Sequence, residues 1–311
     1  MKQRAPIAAI VLAALAVALG AVPAAVADGH DGRCDKGRIV FTRFGDDGPN
    51  LFSTDPCGGP ATQVTTTGAH HADISPDGRW IAYDSIPAGQ HTTDVFVSAA
   101  DGSGARDITN DPGENDLQPD FSPDGRSIAY STGTNGVRDA RIVVQDLRSG
   151  RTRTITPVLP DTEAFDPSWS PSGRSIVFDT LTPSGPSYIW MVRSNGDDLH
   201  RITDDAADAC QPDWGPDGLI AYTGGCDQIQ THLFLRDPRG SHVRQLTTDP
   251  DGGSSQLPAF SPDGRSLTFS KFDAAFQDGD IWRLDLGSGV QTDLVAGPTL
   301  DYWSVWGRAQ P

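Results

Sequence analysis

Six times along the chain an aliphatic residue, a small or β-branched one and a ring stand in a row. These triplets are Ile39-Val40-Phe41, Ile81-Ala82-Tyr83, Ile128-Ala129-Tyr130, Ile176-Val177-Phe178, Ile220-Ala221-Tyr222 and Leu267-Thr268-Phe269. Polar residues, Gly and Pro punctuate the chain between them, and no apolar stripe of helical period runs through these segments. They therefore read as short strands. A second apolar set follows each triplet: Leu51-Phe52, Val95-Phe96-Val97, Ile142-Val143-Val144, Tyr188-Ile189-Trp190, Leu233-Phe234-Leu235 and Ile281-Trp282-Arg283-Leu284. A third, shorter set comes after that: Val64-Thr65, Ile108-Thr109, Ile155-Thr156, Ile202-Thr203, Leu246-Thr247 and Leu294. We call the triplets strand B and the later sets strands C and D.

Strand A lies just ahead of strand B. Pro119-Asp120-Phe121-Ser122-Pro123-Asp124-Gly125-Arg126 precedes the triplet at Ile128, and edited copies precede those at Ile81, Ile176, Ile220 and Leu267. Proline after serine presets φ for the first corner of a type I turn. Aspartate suits the second corner, and glycine accepts the positive φ before the chain turns back. The turn glycines Gly78, Gly125, Gly173, Gly218 and Gly264 lie 47, 48, 45 and 46 residues apart. Four short antiparallel strands repeated at this period predict a propeller blade.

The first triplet has no strand A before it, whereas Leu300 to Arg308 supplies a strand A with no strand B after it. Trp303 and Ser304 are aligned with Phe121 and Ser122. The expected fold is all-β: a six-bladed β-propeller with four antiparallel strands per blade. Residues 301–306 pair into the first blade and close the ring, which removes the open edges that invite aggregation.

The start of the chain changes the picture of where the protein works. Lys2 and Arg4 precede an apolar run from Ile7 to about Val22, and Ala25-Val26-Ala27 offers the small-x-small pattern of a signal-peptidase site. Gly20 and Pro23 interrupt the run, which argues against a membrane span. Residues 1–27 are read as a secretory signal peptide, 28–37 as a short lead-in and 38–311 as the propeller. The expected location is secreted, periplasmic or cell-wall space, with no integral membrane segment after cleavage.

Charge narrows the partners. Without Lys2 and Arg4 the formal net charge moves from −17 to −19. Such an acid excess argues against nucleic acid and anionic membrane surfaces, because phosphate binding needs clustered Lys and Arg. It favours a protein or peptide partner carrying basic residues, bound by a monomer. The four cysteines form no CxxC pair, so a zinc site is not expected. In an exported chain they predict two disulfides, and the repeat register pairs Cys34 with Cys57 and Cys210 with Cys226.

The run from Asp111 through Pro119-Asp120-Phe121-Ser122-Pro123-Asp124-Gly125 to Tyr130 closely resembles the TolB-type propeller repeat, the WD40-like repeat called PD40. The resemblance extends over all six repeats. It implies a TolB-like propeller. Members include the periplasmic TolB protein of the Tol–Pal system and the propeller parts of some serine peptidases. TolB carries an α/β domain ahead of its propeller, for which the stretch from Ala27 to Ile39 leaves no room. The hydrolase domain of the peptidases, with its G-x-S-x-G elbow, has no counterpart either. A stand-alone TolB-like propeller is expected.

Function should sit on the rim where the D-to-A loops and the B–C loops open together. That rim gathers carboxylates, among them Asp116, Glu163 and Asp166, joined by His70 and His71. The residues at the mouth of strand A, namely His71, Gln118, Asp166 and Gln211, should ring the central channel. A hard cation such as Ca²⁺ is the cofactor such carboxylates allow, but no EF-hand spacing is present and no cofactor is assigned. The turn aspartates Asp77, Asp124, Asp217 and Asp263 are read as structural. No nucleophile stands in a recognisable elbow. The first reading is a non-enzymatic exported scaffold that binds a protein or peptide through its acidic rim and channel mouth. The alternative is a metal-assisted hydrolase or lyase acting at that mouth.

Overall fold

The triplets set the packing of the whole ring. In a computed structural model, residues 37–308 are described apart from 135–137, 159–161, 183–184, 205–207, 227, 241 and 277. The proposed signal peptide, Cys34 and nearly all of the lead-in lie outside the described residues. Among those described, the chain forms six four-stranded antiparallel sheets and no helix. Blade 3 shows the plan. Strand A is Asn115–Phe121, B is Ser127–Thr134, C is Arg138–Asp146 and D is Thr152–Thr154, laid side by side in that order.

Successive strand residues face opposite sides of a sheet, and the triplet uses both. Ile128 and Tyr130 pack on Ala82, Val95 and Val97 of blade 2, while Ala129 faces Ala164, Trp169, Ile176 and Phe178 of blade 4. The same division repeats around the ring. Six apolar clusters result, one at each blade interface. A small middle residue admits the large side chains of the next blade, which is why the pattern is aliphatic, small, aromatic.

The ring closes through blade 1, where Asp301–Gly307 is strand A beside strand B at Arg38–Gly45. The pairs are Arg38 with Gly307, Ile39 with Trp306, Val40 with Val305, Thr42 with Tyr302 and Arg43 with Asp301. The alignment of Trp303 with Phe121 is corrected here. Phe121 pairs with Ile128, and its counterpart beside Ile39 is Trp306. Trp306-Gly307 thus repeats Trp214-Gly215, where Phe260 lies against Gly215 in the space a Cβ would need. The shift of three residues moves Trp303 to the opposite end of the strand.

The corners behave as their residues require. Gly78, Gly125, Gly173, Gly218 and Gly264 all have φ between 67° and 87°. Asp124 Oδ1 accepts hydrogen bonds from Ser122 Oγ (2.7 Å) and from the Arg126 N–H (3.1 Å). Asp77 and Asp263 do the same, so these aspartates are turn builders. Another aspartate of the repeat has a second task. Asp73 Oδ2 accepts the Phe121 N–H, Asp120 Oδ2 the Trp169 N–H and Asp213 Oδ2 the Phe260 N–H, each at 2.7 Å. Ser168 Oγ accepts the Trp214 N–H in the same way at 3.0 Å. This belt ties the innermost strand of one blade to that of the next, from blade 2 to blade 6. Ala259 and Val305 hold the equivalent positions in blades 6 and 1, with no side-chain acceptor to offer.

Candidate functional site: the channel mouth

Every strand A is broken at the same place. Its pairing with strand B slips between His70 and Asp73, Leu117 and Asp120, Phe165 and Ser168, Cys210 and Asp213, Gln256 and Ala259, and Tyr302 and Val305. Three residues on strand A span two on strand B, which is a β-bulge. The residue at each bulge is left-handed: His71 (φ 44°), Gln118 (55°), Asp166 (51°), Gln211 (56°), Leu257 (57°) and Trp303 (55°). None is glycine, so each position carries backbone strain of the kind that gathers at binding sites. The four predicted mouth residues therefore occupy equivalent places, and Leu257 and Trp303 complete the ring.

In ring order the mouth reads Trp303, His71, Gln118, Asp166, Gln211, Leu257. Three blades separate Trp303 from Asp166, so the two hold opposite positions in the ring. The aromatic pole is extended by neighbours. The His71 and Trp303 rings meet edge to face at 4.0 Å, Phe44 stacks on Tyr302 at 5.1 Å, and His70 Nδ1 lies 3.0 Å from the Tyr302 hydroxyl. His70 is thus held in the wall. Asp116 is buried too, at 3% exposure, and Glu163 is half-buried near the start of its strand.

Behind the mouth stand the strand-B residues that follow each aromatic. Here Asp84 and Asp179 are almost fully enclosed, at 0% and 1% exposure. His71 Nδ1 donates to Asp84 Oδ2 at 2.6 Å, and the Gln118 N–H donates to the same oxygen at 3.3 Å. The Asp166 N–H donates to Gln118 Oε1 at 3.2 Å. On the other side Thr223 Oγ1 donates to Gln211 Oε1 (2.8 Å) and accepts the Leu257 N–H (3.1 Å). The Asp166 and Asp179 carboxyls are close enough to influence each other's titration, and Asp166 adds to the burial that raises Asp179. One carboxylate oxygen on each of Asp84, Asp166 and Asp179 has no hydrogen-bond partner.

Burial dominates the titration of this group. It pushes Asp166 up to about 7, partly offset by His71, and pushes Asp179 well above the usual carboxylate range. Burial alone would lower His71, but Asp84 beside it and Asp166 beyond carry it above its ordinary value. Deeper in the channel Asp73 rises to about 7 and Asp213 to about 6, again through burial, and Asp120 rises further because Asp73 and Asp213 add repulsion. Among the described residues no group of three or more His, Cys, Asp or Glu is arranged to hold a metal ion.

The rim around the mouth is mixed. Ile86, Val158 and Ile229 are exposed at 57%, 51% and 80% on loops of blades 2, 3 and 5. Cys210, next to the mouth residue Gln211, is bonded to Cys226 (Cα–Cα 6.3 Å) and fastens the loop that carries Ile229. Cys57 is disulfide-bonded, and Cys34 lies outside the described residues. The Cys210–Cys226 bridge closes a loop with a sequence separation of 16. Replacing both cysteines with serine is expected to lower stability by about 2–3 kcal/mol. It should also open the loop near Ile229 to protease. Denaturant midpoints and mapped cleavage sites check both.

The geometry defines a six-bladed propeller whose axial channel is lined with carboxylates and opens on a strained ring. Residues 88–301 match the TolB beta propeller domain family, PD40, and the chain belongs to that family. It is 29% identical to an uncharacterized protein of Agrobacterium fabrum over 177 residues, 54% of each chain. It is 36% identical to the Tol-Pal system protein TolB of Thiobacillus denitrificans over 76 residues, 24% of this chain and 17% of that one. The chain thus spans about half or less of these relatives. Among solved structures, TolB from Acinetobacter baumannii superposes with a TM-score of 0.72 at 20% identity, covering 88% of this chain and 67% of that one. Hydrazine synthase of Kuenenia stuttgartiensis gives 0.70 at 15%, covering 89% and 47%. At these identities the likeness is one of fold.

Proposed function

We propose that the protein is an exported binding scaffold that docks a basic protein or peptide segment onto the mouth rim. The observation that carries this reading is the mouth itself: six left-handed, non-glycine residues around one opening, backed by carboxylates with unpartnered oxygens. Exposed aliphatic residues on three sides of the same rim supply apolar contact, and a disulfide fixes the loop bearing one of them. Family membership supports a propeller scaffold, and the disulfide fits an oxidising compartment. Among the described residues no helix is long and apolar enough to cross a membrane.

Photoreactive residues at Ile86 and Ile229 on the mouth rim, and at Val243 and Val290 on the opposite one, test this in the native host. Basic peptides crosslinked from the first pair but not the second are the expected result. Crosslinks confined to Val243 and Val290, or none at all, overturn it. A second reading has the His71–Asp84 pair in its favour. An imidazole oriented by a buried carboxylate is an acid–base arrangement, and Asp166, which burial pushes up to about 7, is a second acid beside it. Loss of a turnover on His71→Ala would support that reading.

A further inference from the structure

The mouth has a shape and a charge that select one chemical group. Asp166 stands at one pole with Asp179 behind it, and Gln118 and Gln211 flank it in the ring. Trp303 holds the opposite position in the ring, and Leu257 the position next to it in blade 6. Asp179 is 1% exposed, and an oxygen on each of Asp166, Asp179 and Asp84 lacks a partner. Described polar atoms this deeply enclosed and this unsatisfied are costly unless a ligand completes them. His71 does not serve that purpose, because its Nδ1–H is already committed to Asp84 Oδ2.

We propose that the mouth is a socket for a single lysine or arginine side chain, whose cationic end seats on Asp166 and Asp179 while its alkyl stem lies against Leu257 and Trp303. This rests on the docking reading above and names the residue that the docked segment must present. The two glutamine side chains bracket the entering group.

The socket also carries a proton. Without a ligand, burial favours the protonated form at Asp166 and Asp179. An ammonium or guanidinium takes the proton's place, and the displaced proton passes to water. The charged and titratable groups facing the pair are His71 and Asp84, with His70 and Tyr302 beyond them. His71 and Asp84 neutralise each other. Acidification therefore opposes the ligand chiefly at Asp166 and Asp179, and binding strengthens as pH rises through about 7.

The test titrates the purified chain with acetylated, amidated Gly-Lys-Gly, Gly-Arg-Gly and Gly-norleucine-Gly, following side-chain amide and indole NMR signals. At pH 8 the two cationic probes are expected to bind at least tenfold more tightly than norleucine. Affinity should fall at least fivefold at pH 5.5. Asp166→Asn should remove at least tenfold, whereas Asp251→Asn on the outer rim stays within twofold. Asp179→Asn is the second variant, with its melting curve recorded alongside to show that it folds. Equal binding of norleucine, pH-independent affinity, or an unchanged Asp166→Asn each overturn the socket. If those results coexist with crosslinks at Ile86 and Ile229, the socket fails alone. If crosslinks appear only on the opposite rim, the docking reading fails as well.

Discussion

Acidifying the protein from pH 8 to pH 5.5 should raise its melting temperature. Asp73, Asp166 and Asp280 are pushed up to about 7, and Asp116 and Asp213 to about 6, in each case chiefly by burial. Asp120 and Asp179 rise further still. A carboxyl whose folded value exceeds its unfolded one binds more protons when folded. Its contribution is complete below the unfolded value near 4 and is lost as pH climbs through the folded value, here between about 4 and 7. His71, also raised, acts in the same direction. His70 is lowered by burial and opposes them near its ordinary value. Asp77, Asp124 and Asp285 are lowered by hydrogen bonds in their turns, so their stability is lost only as pH falls below about 4.

These carboxyls also repel one another, so their shifts do not add in full, and the summed gain is on the order of 3–5 kcal/mol, or roughly 5–10 °C for a domain of this size. Asp120→Asn isolates the cause. Asparagine keeps an oxygen for the Trp169 N–H and removes the buried charge. It should raise the melting temperature at pH 8 and leave it nearly unchanged at pH 5. A melting temperature that falls steadily from pH 8 to 5.5 would count against the whole assignment of neutral channel carboxyls. Calorimetry across that range, on both proteins, makes the measurement.

Much of this architecture is readable from local chemistry. The triplets announce strands that pack both ways, and the Ser-Pro-Asp-Gly corner fixes where each hairpin turns. What escaped the reading lies where alternation breaks. The bulge inserts one residue into strand A, so a period-two argument started at Phe121 assigns the wrong face to everything before it. Asp73, Asp120 and Asp213 stand in plain view inside the repeat, yet their role as blade-to-blade acceptors depends on that change of phase. The same effect misplaced the tail. Two tryptophans three residues apart, Trp303 and Trp306, both suit a strand, and only Trp306-Gly307 repeats Trp214-Gly215. Asp84 and Asp179 carry a usable signal, a carboxylate straight after a buried aromatic. Their convergence on His71 and Asp166 needs three blades brought around one axis, which no local pattern encodes.

Removing Arg43 should destabilise the ring more than removing Arg43 and Asp301 together. Arg43 in strand B of blade 1 lies opposite Asp301 in the closing strand, with Nε–Oδ1 at 2.7 Å and Nη2–Oδ2 at 2.6 Å. The Asp301 side chain is 0% exposed, and the guanidinium sits 4.9 Å from the Phe52 ring. Arg43 is raised by its bond to Asp301, whereas burial lifts Asp301 above the usual carboxylate range despite Arg43, with Asp278 and Asp293 adding repulsion. The two directions describe one balance, in which desolvation consumes most of the attraction. The enclosed carboxylate sets the balance, because it is the group that cannot reach water.

Arg43→Met then strands Asp301 and should cost about 3–5 kcal/mol at pH 8. The loss shrinks toward pH 5.5 as Asp301 takes a proton. Arg43→Met with Asp301→Leu leaves no charge behind and should lie within about 1.5 kcal/mol of the parent. Denaturant unfolding of the four proteins in a double-mutant cycle measures the coupling. If the double variant is instead about as unstable as Arg43→Met alone, the pair contributes net attraction to closure beyond what apolar replacement supplies. The closing strand would then be held by that charge pair rather than by the apolar cluster around Trp306.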